Sequence, residues 1–178
     1  MSKIGRKSIP FNGAKVEIKG NDVHYSGQFA SGVHVLPPYL KPQLSSDSLL
    51  ILCEGANDKR KFWGLHRALL ANALQGAVKE FETNVEIVGL GFKAEVSGKK
   101  VVFTLGFTNK ITIELPKSVS LTVDKTGQKL LFKSANKEEL GSVVATVKSL
   151  RPVEPYKGTG IKRVGDVVIR KAGKTKSK

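Results

Sequence analysis

Lys15-Val16-Glu17-Ile18-Lys19-Gly20-Asn21-Asp22-Val23-His24-Tyr25 and Lys93-Ala94-Glu95-Val96-Ser97-Gly98-Lys99-Lys100-Val101-Val102-Phe103 carry one pattern twice, 78 residues apart. Each is a run of alternating apolar and polar residues, a glycine-led polar turn and a second strand-like run, which predicts a β-hairpin. Around the same offset Val33-His34-Val35 aligns with Ile111-Thr112-Ile113, and Pro38 with Pro116. Farther on, Ala56-Asn57 recurs as Ala135-Asn136, and Gly64 falls near Gly141. A period this long exceeds a solenoid unit and fits a duplicated small domain.

Each copy closes on a helical pattern. From Lys59 to Phe81, Phe62, Leu65, Leu69, Ala73 and Ala77 recur at steps of three and four, predicting an apolar stripe with Asn57 as cap. From Lys137 to Leu150, Leu140, Val143, Val144 and Val147 share a face; Asn136 and Glu139 have capping-box spacing, and Arg151-Pro152 ends the helix. Several strands and then one helix per copy predict an α+β chain of two tandem duplicated domains, each an antiparallel sheet with one helix packed on a face. Residues 1–82 are the first repeat with a basic N-terminal arm, 83–152 the second repeat, and 153–178 a basic C-terminal arm, with the joint at Thr83 to Val85.

Charge marks the ends. The 178-residue chain has a net charge of +15 and is 40% apolar, enough for real cores. Lys157 to Lys178 hold eight Lys/Arg against one acid, Asp166, and Lys3, Arg6 and Lys7 add +3, leaving +5 over residues 11–156. A globular body with basic ends predicts a polyanionic partner, most simply nucleic acid. The tail has no amphipathic stripe to favour a membrane surface. Within it, Glu154-Pro155-Tyr156-Lys157-Gly158-Thr159-Gly160-Ile161-Lys162-Arg163 sets two glycines between basic residues behind a tyrosine. Lysines neutralise phosphates and glycine lets a backbone approach closely, so this block suits a ribose-phosphate surface.

Other chemistries find no support. The lone Cys53 allows neither an intrachain disulfide nor a cysteine zinc site, and its apolar neighbours Leu49 to Leu52 predict a buried thiol. His24, His34 and His66 are far apart in sequence and show no metal-ligand spacing. Gly89-Leu90-Gly91 has Ala94 where a dinucleotide fingerprint needs its third glycine, and a strand follows. Gly173-Lys174-Thr175 has Val168 in place of a phosphate loop's first glycine. No constellation suggests an enzyme, a cofactor or a bound metal. Only twelve aromatics occur, without basic interleaving, so recognition through phosphates and RNA shape is expected rather than a single-strand stacking module. No run of about 18 apolar residues predicts a transmembrane helix, and Met1 to Arg6 has no signal-peptide core, so a soluble, reducing compartment is expected.

Three stretches together resemble one family. Met1-Ser2-Lys3-Ile4-Gly5 with Ile9-Pro10 is similar to the opening of the bacterial and organellar large-subunit ribosomal protein six family. Glu86-Ile87-Val88-Gly89-Leu90-Gly91-Phe92-Lys93-Ala94, leading to Leu105-Gly106-Phe107, resembles the start of its second domain, and Glu154 to Ile161 its C-terminal signature. Val153 stands for the signature's first proline and Thr159 for its internal lysine, while Ser8 and Asn109 replace a usual proline and histidine. The resemblance implies a duplicated α+β fold and a non-catalytic constituent of the large ribosomal subunit, in the cytoplasm or an organellar matrix. It implies binding to large-subunit rRNA near the sarcin-ricin loop, with stalk-base ribosomal proteins as neighbours and translational GTPases docking nearby. On that footing Tyr156 would stack or pack on RNA, and Lys157, Lys162, Arg163, Arg170 and Lys171 would neutralise phosphates. Gly158 and Gly160 would permit close approach, and Lys93 would add a contact after the Gly-Leu-Gly-Phe turn. A free-standing RNA-binding or RNA-chaperone protein would explain the charge equally well, though not the signature.

Overall fold

The computed structural model describes residues 3–54 and 57–173. Its strands are β1 (Ile9–Pro10), β2 (Lys15–Lys19), β3 (Asp22–Ser26), β4 (Ser31–Val35), β5 (Leu40–Leu44) and β6 (Ser48–Cys53), followed by the helix α1 (Trp63–Val78). Then come β7 (Phe81–Val88), β8 (Lys93–Ser97), β9 (Lys100–Thr104), β10 (Ile111–Glu114), β11 (Val119–Val123), β12 (Lys129–Ser134), α2 (Lys137–Leu150) and β13 (Gly160–Arg163). The chain forms two compact units; the first ends at Glu80 and the second begins at Phe81, with the short segment Ala135–Lys137 grouped with the first. Thr83 to Val85, expected as the joint, lie inside β7, paired with Phe132, Leu131 and Leu130 of β12.

The duplication is written in the pairing. The first unit has the sheets β1-β6-β5 and β2-β3-β4; the second has β7-β12-β11 and β8-β9-β10, with β13 added outside β7. Every pairing is antiparallel. Each hairpin turns at a positive-φ glycine, Gly20 at 64° and Gly98 at 62°, so Ile18 meets Val23 and Val96 meets Val101 in the same register. Each unit divides its strands between two sheets rather than one. The chain passes to the second sheet after β1 and β7 and returns after β4 and β10; at the returns Pro37-Pro38 and Pro116 interrupt it, and proline cannot donate to a ladder.

In the second unit Leu140, Val143, Val144 and Val147 of α2 pack with Val85, Ile87, Phe103, Leu130, Phe132 and Ile161 in one buried cluster. Phe103 and Phe132 are almost wholly buried, each contributing roughly 1.5–3 kcal/mol. Glu139 takes part at the start of α2 by accepting from the Ser118 hydroxyl.

The first helix differs from expectation. Asn57–Phe62 form a 3-10 turn, α1 itself starts at Trp63 with Phe62 as its N-cap, and Phe81 already belongs to β7. Trp63, Leu70, Leu74 and Ala77 face the core, while Phe62, Leu65 and Leu69 of the expected stripe are 43%, 50% and 39% exposed. Trp63 fixes this rotation: its indole N–H donates to the Ile51 carbonyl at 2.8 Å, and its ring covers Gly5, leaving no room for a Cβ there. The basic N-terminal stretch is therefore tied down from Gly5 onward. Ile9–Pro10 pair with β6, and the Arg67 guanidinium donates to the carbonyls of Lys7 and Ser8.

Two further expectations change. Cys53 is half-buried at the end of β6, packed against the core rather than within it. His34 and His66, distant in sequence, meet: His34 Nε2 is 3.2 Å from His66 Nδ1, with the rings edge to face. Burial lowers the pKa of both, and the neighbouring His66 lowers His34 further. Among the described residues no group of three or more potential ligands could hold a metal ion, and no helix is long and apolar enough to cross a membrane.

Candidate nucleic-acid interface

After α2 the chain makes a compact loop. The Glu154 N–H donates to the Thr159 carbonyl at 2.9 Å, the Gly158 N–H to the Glu154 carbonyl at 3.0 Å, and the Thr159 hydroxyl to the Glu154 carboxylate at 3.2 Å. The loop then enters β13, whose Ile161 lies opposite Ile87 of β7 and is buried. Residues 160–163, expected within a basic arm, thus complete the second unit's sheet. Beyond them the Asp166 carboxylate accepts from Lys148 Nζ at 2.6 Å and from the Arg163 N–H at 3.2 Å. The Lys148 hydrogen bond first, and the Arg163 one second, hold its carboxyl below the usual range. The chain finally returns along the loop, where the Lys171 N–H donates to the Pro155 carbonyl at 2.9 Å.

The two glycines serve this folding. Gly160 sits at φ +136°, and a Cβ there would lie 2.7 Å from the Pro152 carbonyl oxygen. Gly158, at φ +72°, lies beneath the Arg170 guanidinium, whose Nη2 would be 3.0 Å from an added Cβ. Both are buried, so the space their missing side chains leave is occupied by this chain itself.

The basic residues divide by partner. Lys162 lies opposite Glu86 on the sheet's outer face with its ammonium 3.5 Å from the carboxylate, and Lys93, in β8 of the other sheet, is 2.7 Å from Glu95. Lys157, Arg163, Arg170 and Lys171 are exposed and make no ion pair with the described residues. Tyr156 is 54% exposed beside Lys157, on the loop to which Arg170 and Lys171 return. The result is a folded cationic loop bearing one aromatic ring. Glu86 takes Lys162 from another strand and Asp166 takes Lys148 from α2, pairings with no local sequence signal, whereas Glu95 lies two residues from Lys93 in the same strand. Lys174 to Lys178 lie outside the described residues.

The Ribosomal protein L6 family matches residues 88–163, from the last residue of β7 to the last of β13. The large ribosomal subunit protein uL6 of Methylacidiphilum infernorum (isolate V4) is 40% identical over 182 residues, covering all of both chains. The chain belongs to the uL6 family. The uL6 of Anaeromyxobacter dehalogenans (strain 2CP-C) is 38% identical over 177 residues and 98% of each chain, and that of Helicobacter hepaticus is 35% identical over 182 residues and the whole of both. The family match closes on the strand that carries Lys162 and Arg163, so it takes in the sheet edge and residues 154–159 of the loop, while Arg170 and Lys171 lie beyond it.

Proposed function

We propose that this protein is a non-catalytic structural constituent of the large ribosomal subunit. It binds large-subunit rRNA near the sarcin-ricin loop and the stalk base, with ribosomal proteins as neighbours and translational GTPases docking beside it. Family membership supports the ribosomal role. The observation that carries the RNA-binding surface is the folded loop on which Lys157, Arg170 and Lys171 are exposed near Tyr156 and form no ion pair with the described residues. A preformed cationic loop loses little conformational entropy on meeting a phosphate backbone, and its lysines and arginines release counterions there. Arg163 extends the surface along β13, while Lys162 and Lys93 contribute less because Glu86 and Glu95 partly answer their charge.

The test is binding to an rRNA fragment carrying the sarcin-ricin region at several salt concentrations. Each phosphate contact contributes roughly 0.7–0.9 to the slope of log affinity against log salt, a scale set on DNA and single strands. Replacing Lys157, Arg170 and Lys171 with glutamine is expected to flatten the slope by about two to three units. An unchanged slope and affinity would mean that the loop faces something other than RNA.

A further inference from the structure

Two loops of the second unit close on the ring of Phe92. Between β7 and β8 the chain turns through Gly89-Leu90-Gly91, with φ +157° at Gly89 and +73° at Gly91. A Cβ on Gly89 would lie 2.3 Å from the Phe92 ring, and one on Gly106, after β9, would lie 2.8 Å from its other side-chain edge. Both backbones therefore press on this ring. Arg151, just past α2, places its guanidinium carbon 4.8 Å from the centre of Phe92 and 5.0 Å from the centre of Phe107. Its Nη1 donates to the Leu105 carbonyl at 2.5 Å, which fixes the guanidinium between helix end and loop. Guanidinium contacts with two rings orient both by cation–π attraction. Yet Phe107 keeps 49% of its surface exposed, and Leu90, at the tip of the neighbouring loop, is fully exposed.

A large apolar ring held rigid at the surface is prepared for a flat partner. The charge around it selects the kind. Gly89 to Lys93 and Leu105 to Lys110 contain no acid; Glu95, two residues on, pairs with Lys93 at 2.7 Å and feels Lys110 more distantly. With Lys93 answered by Glu95, Lys110 on the Phe107 loop and Arg151 against the rings leave the balance positive. That excess suits a partner that is aromatic and anionic together, and a nucleotide is both: its base stacks on a ring or guanidinium while its phosphate meets lysine. We propose that Phe107, held by Arg151 against Phe92, is a stacking platform for an unpaired base of RNA. Lys110, three residues along the same loop, would meet the attached phosphate, and Leu90 would form the apolar rim. The platform rests on the RNA-binding function proposed above but is separate from the loop around Tyr156.

The test uses the full chain and a single-stranded RNA hexamer of adenosines carrying one 2-aminopurine, whose fluorescence falls when the base stacks. Binding is expected to quench the probe. Phe107→Ala should abolish the quenching and weaken binding roughly 5- to 100-fold, the range for losing one base–aromatic stack. Phe107→Tyr, which keeps the ring, should preserve both, and matching circular dichroism melts verify that the variants fold. The glutamine variant of Lys157, Arg170 and Lys171 should flatten the salt slope yet retain quenching at saturating protein. If that variant behaves as stated while Phe107→Ala quenches like the parent, the RNA-binding function stands and the platform is refuted. Absence of quenching by the parent also refutes it. So does a Phe107→Ala defect that appears only in assembly with other ribosomal proteins, which would assign the ring to a protein neighbour.

Discussion

Gly160→Ala is the most direct perturbation of the strand that docks the cationic loop. At φ +136° an alanine would occupy backbone space used almost only by glycine, at a cost of about 1–3 kcal/mol. Its Cβ would also meet the Pro152 carbonyl oxygen at 2.7 Å and the Val153 Cα at 2.8 Å. Backbone atoms cannot swing aside as a side-chain tip can, so overpacking adds about 1–3 kcal/mol. Detaching β13 from β7 would relieve both terms, but it exposes Ile161, worth roughly 1.5–3 kcal/mol, and breaks ladder hydrogen bonds worth about 1 kcal/mol each. The two routes are comparable, so a loss of about 2–5 kcal/mol in urea unfolding is expected, with faster amide exchange along β13 and its partner edge of β7. Gly165→Ala is the control: φ is +95° with no atom within 4 Å of the new Cβ, so only backbone strain of about 1–2 kcal/mol should appear. Gly158→Ala should resemble the control, because the atom it meets is the movable end of Arg170. A Gly160→Ala protein within about 0.5 kcal/mol of its parent, with unchanged exchange, would refute the packing of β13 described here.

Leu70→Ala should cost about 2–5 kcal/mol, whereas Leu65→Ala should change stability by no more than about 0.5 kcal/mol; equal losses in urea unfolding would mean that α1 presents a different face. The His34–His66 pair makes stability pH-dependent. Both folded pKa values lie below the ordinary 6.5, so the unfolded chain binds more protons just below that pH. Stability is therefore full above pH 6.5 and falls with pH through the window between 6.5 and the folded values. Thermal melts at steps from pH 7.5 to about 5 should show that decline, and a His34→Gln, His66→Gln double variant should flatten it.

The hairpins and α2 were legible because polar residues frame each apolar pattern. Lys100 and Thr104 bracket Val101 to Phe103, and the face of Leu140, Val143, Val144 and Val147 is flanked by glutamates, serines and lysines. The α1 segment has no such contrast. Leu65, Leu69, Leu70, Leu74 and several alanines populate both sides of the helix, so periodicity alone permits two rotations. The choice is made by a tertiary contact, the Trp63 indole bound to Ile51, which no local pattern encodes. The His pair escaped for the same reason, joining a strand to a helix across 32 residues. β13 was hidden by its composition. Among glycines and cations only Ile161 signals burial, and its partner Ile87 lies on a strand far back in the chain. Tyr156, Lys157, Gly158 and Gly160 could be named from the signature they resemble, whereas Arg170 and Lys171 lie beyond it in the basic tail. The pairing of the candidate cations could be read only in part: Glu95 stands two residues from Lys93 on the same strand face, but Glu86 and the buried settings of Gly158 and Gly160 are properties of the folded chain.

The ribosomal role is tested most directly by sedimentation. The tagged full-length protein, expressed in a bacterial cell at low level, is followed through a sucrose gradient after a high-salt wash of the ribosomes. Travel with the large subunit at one copy per particle, surviving the wash, is the predicted result. Protein left at the top of the gradient, or stripped from the particles by salt, would contradict it and mark instead a free-standing RNA-binding protein.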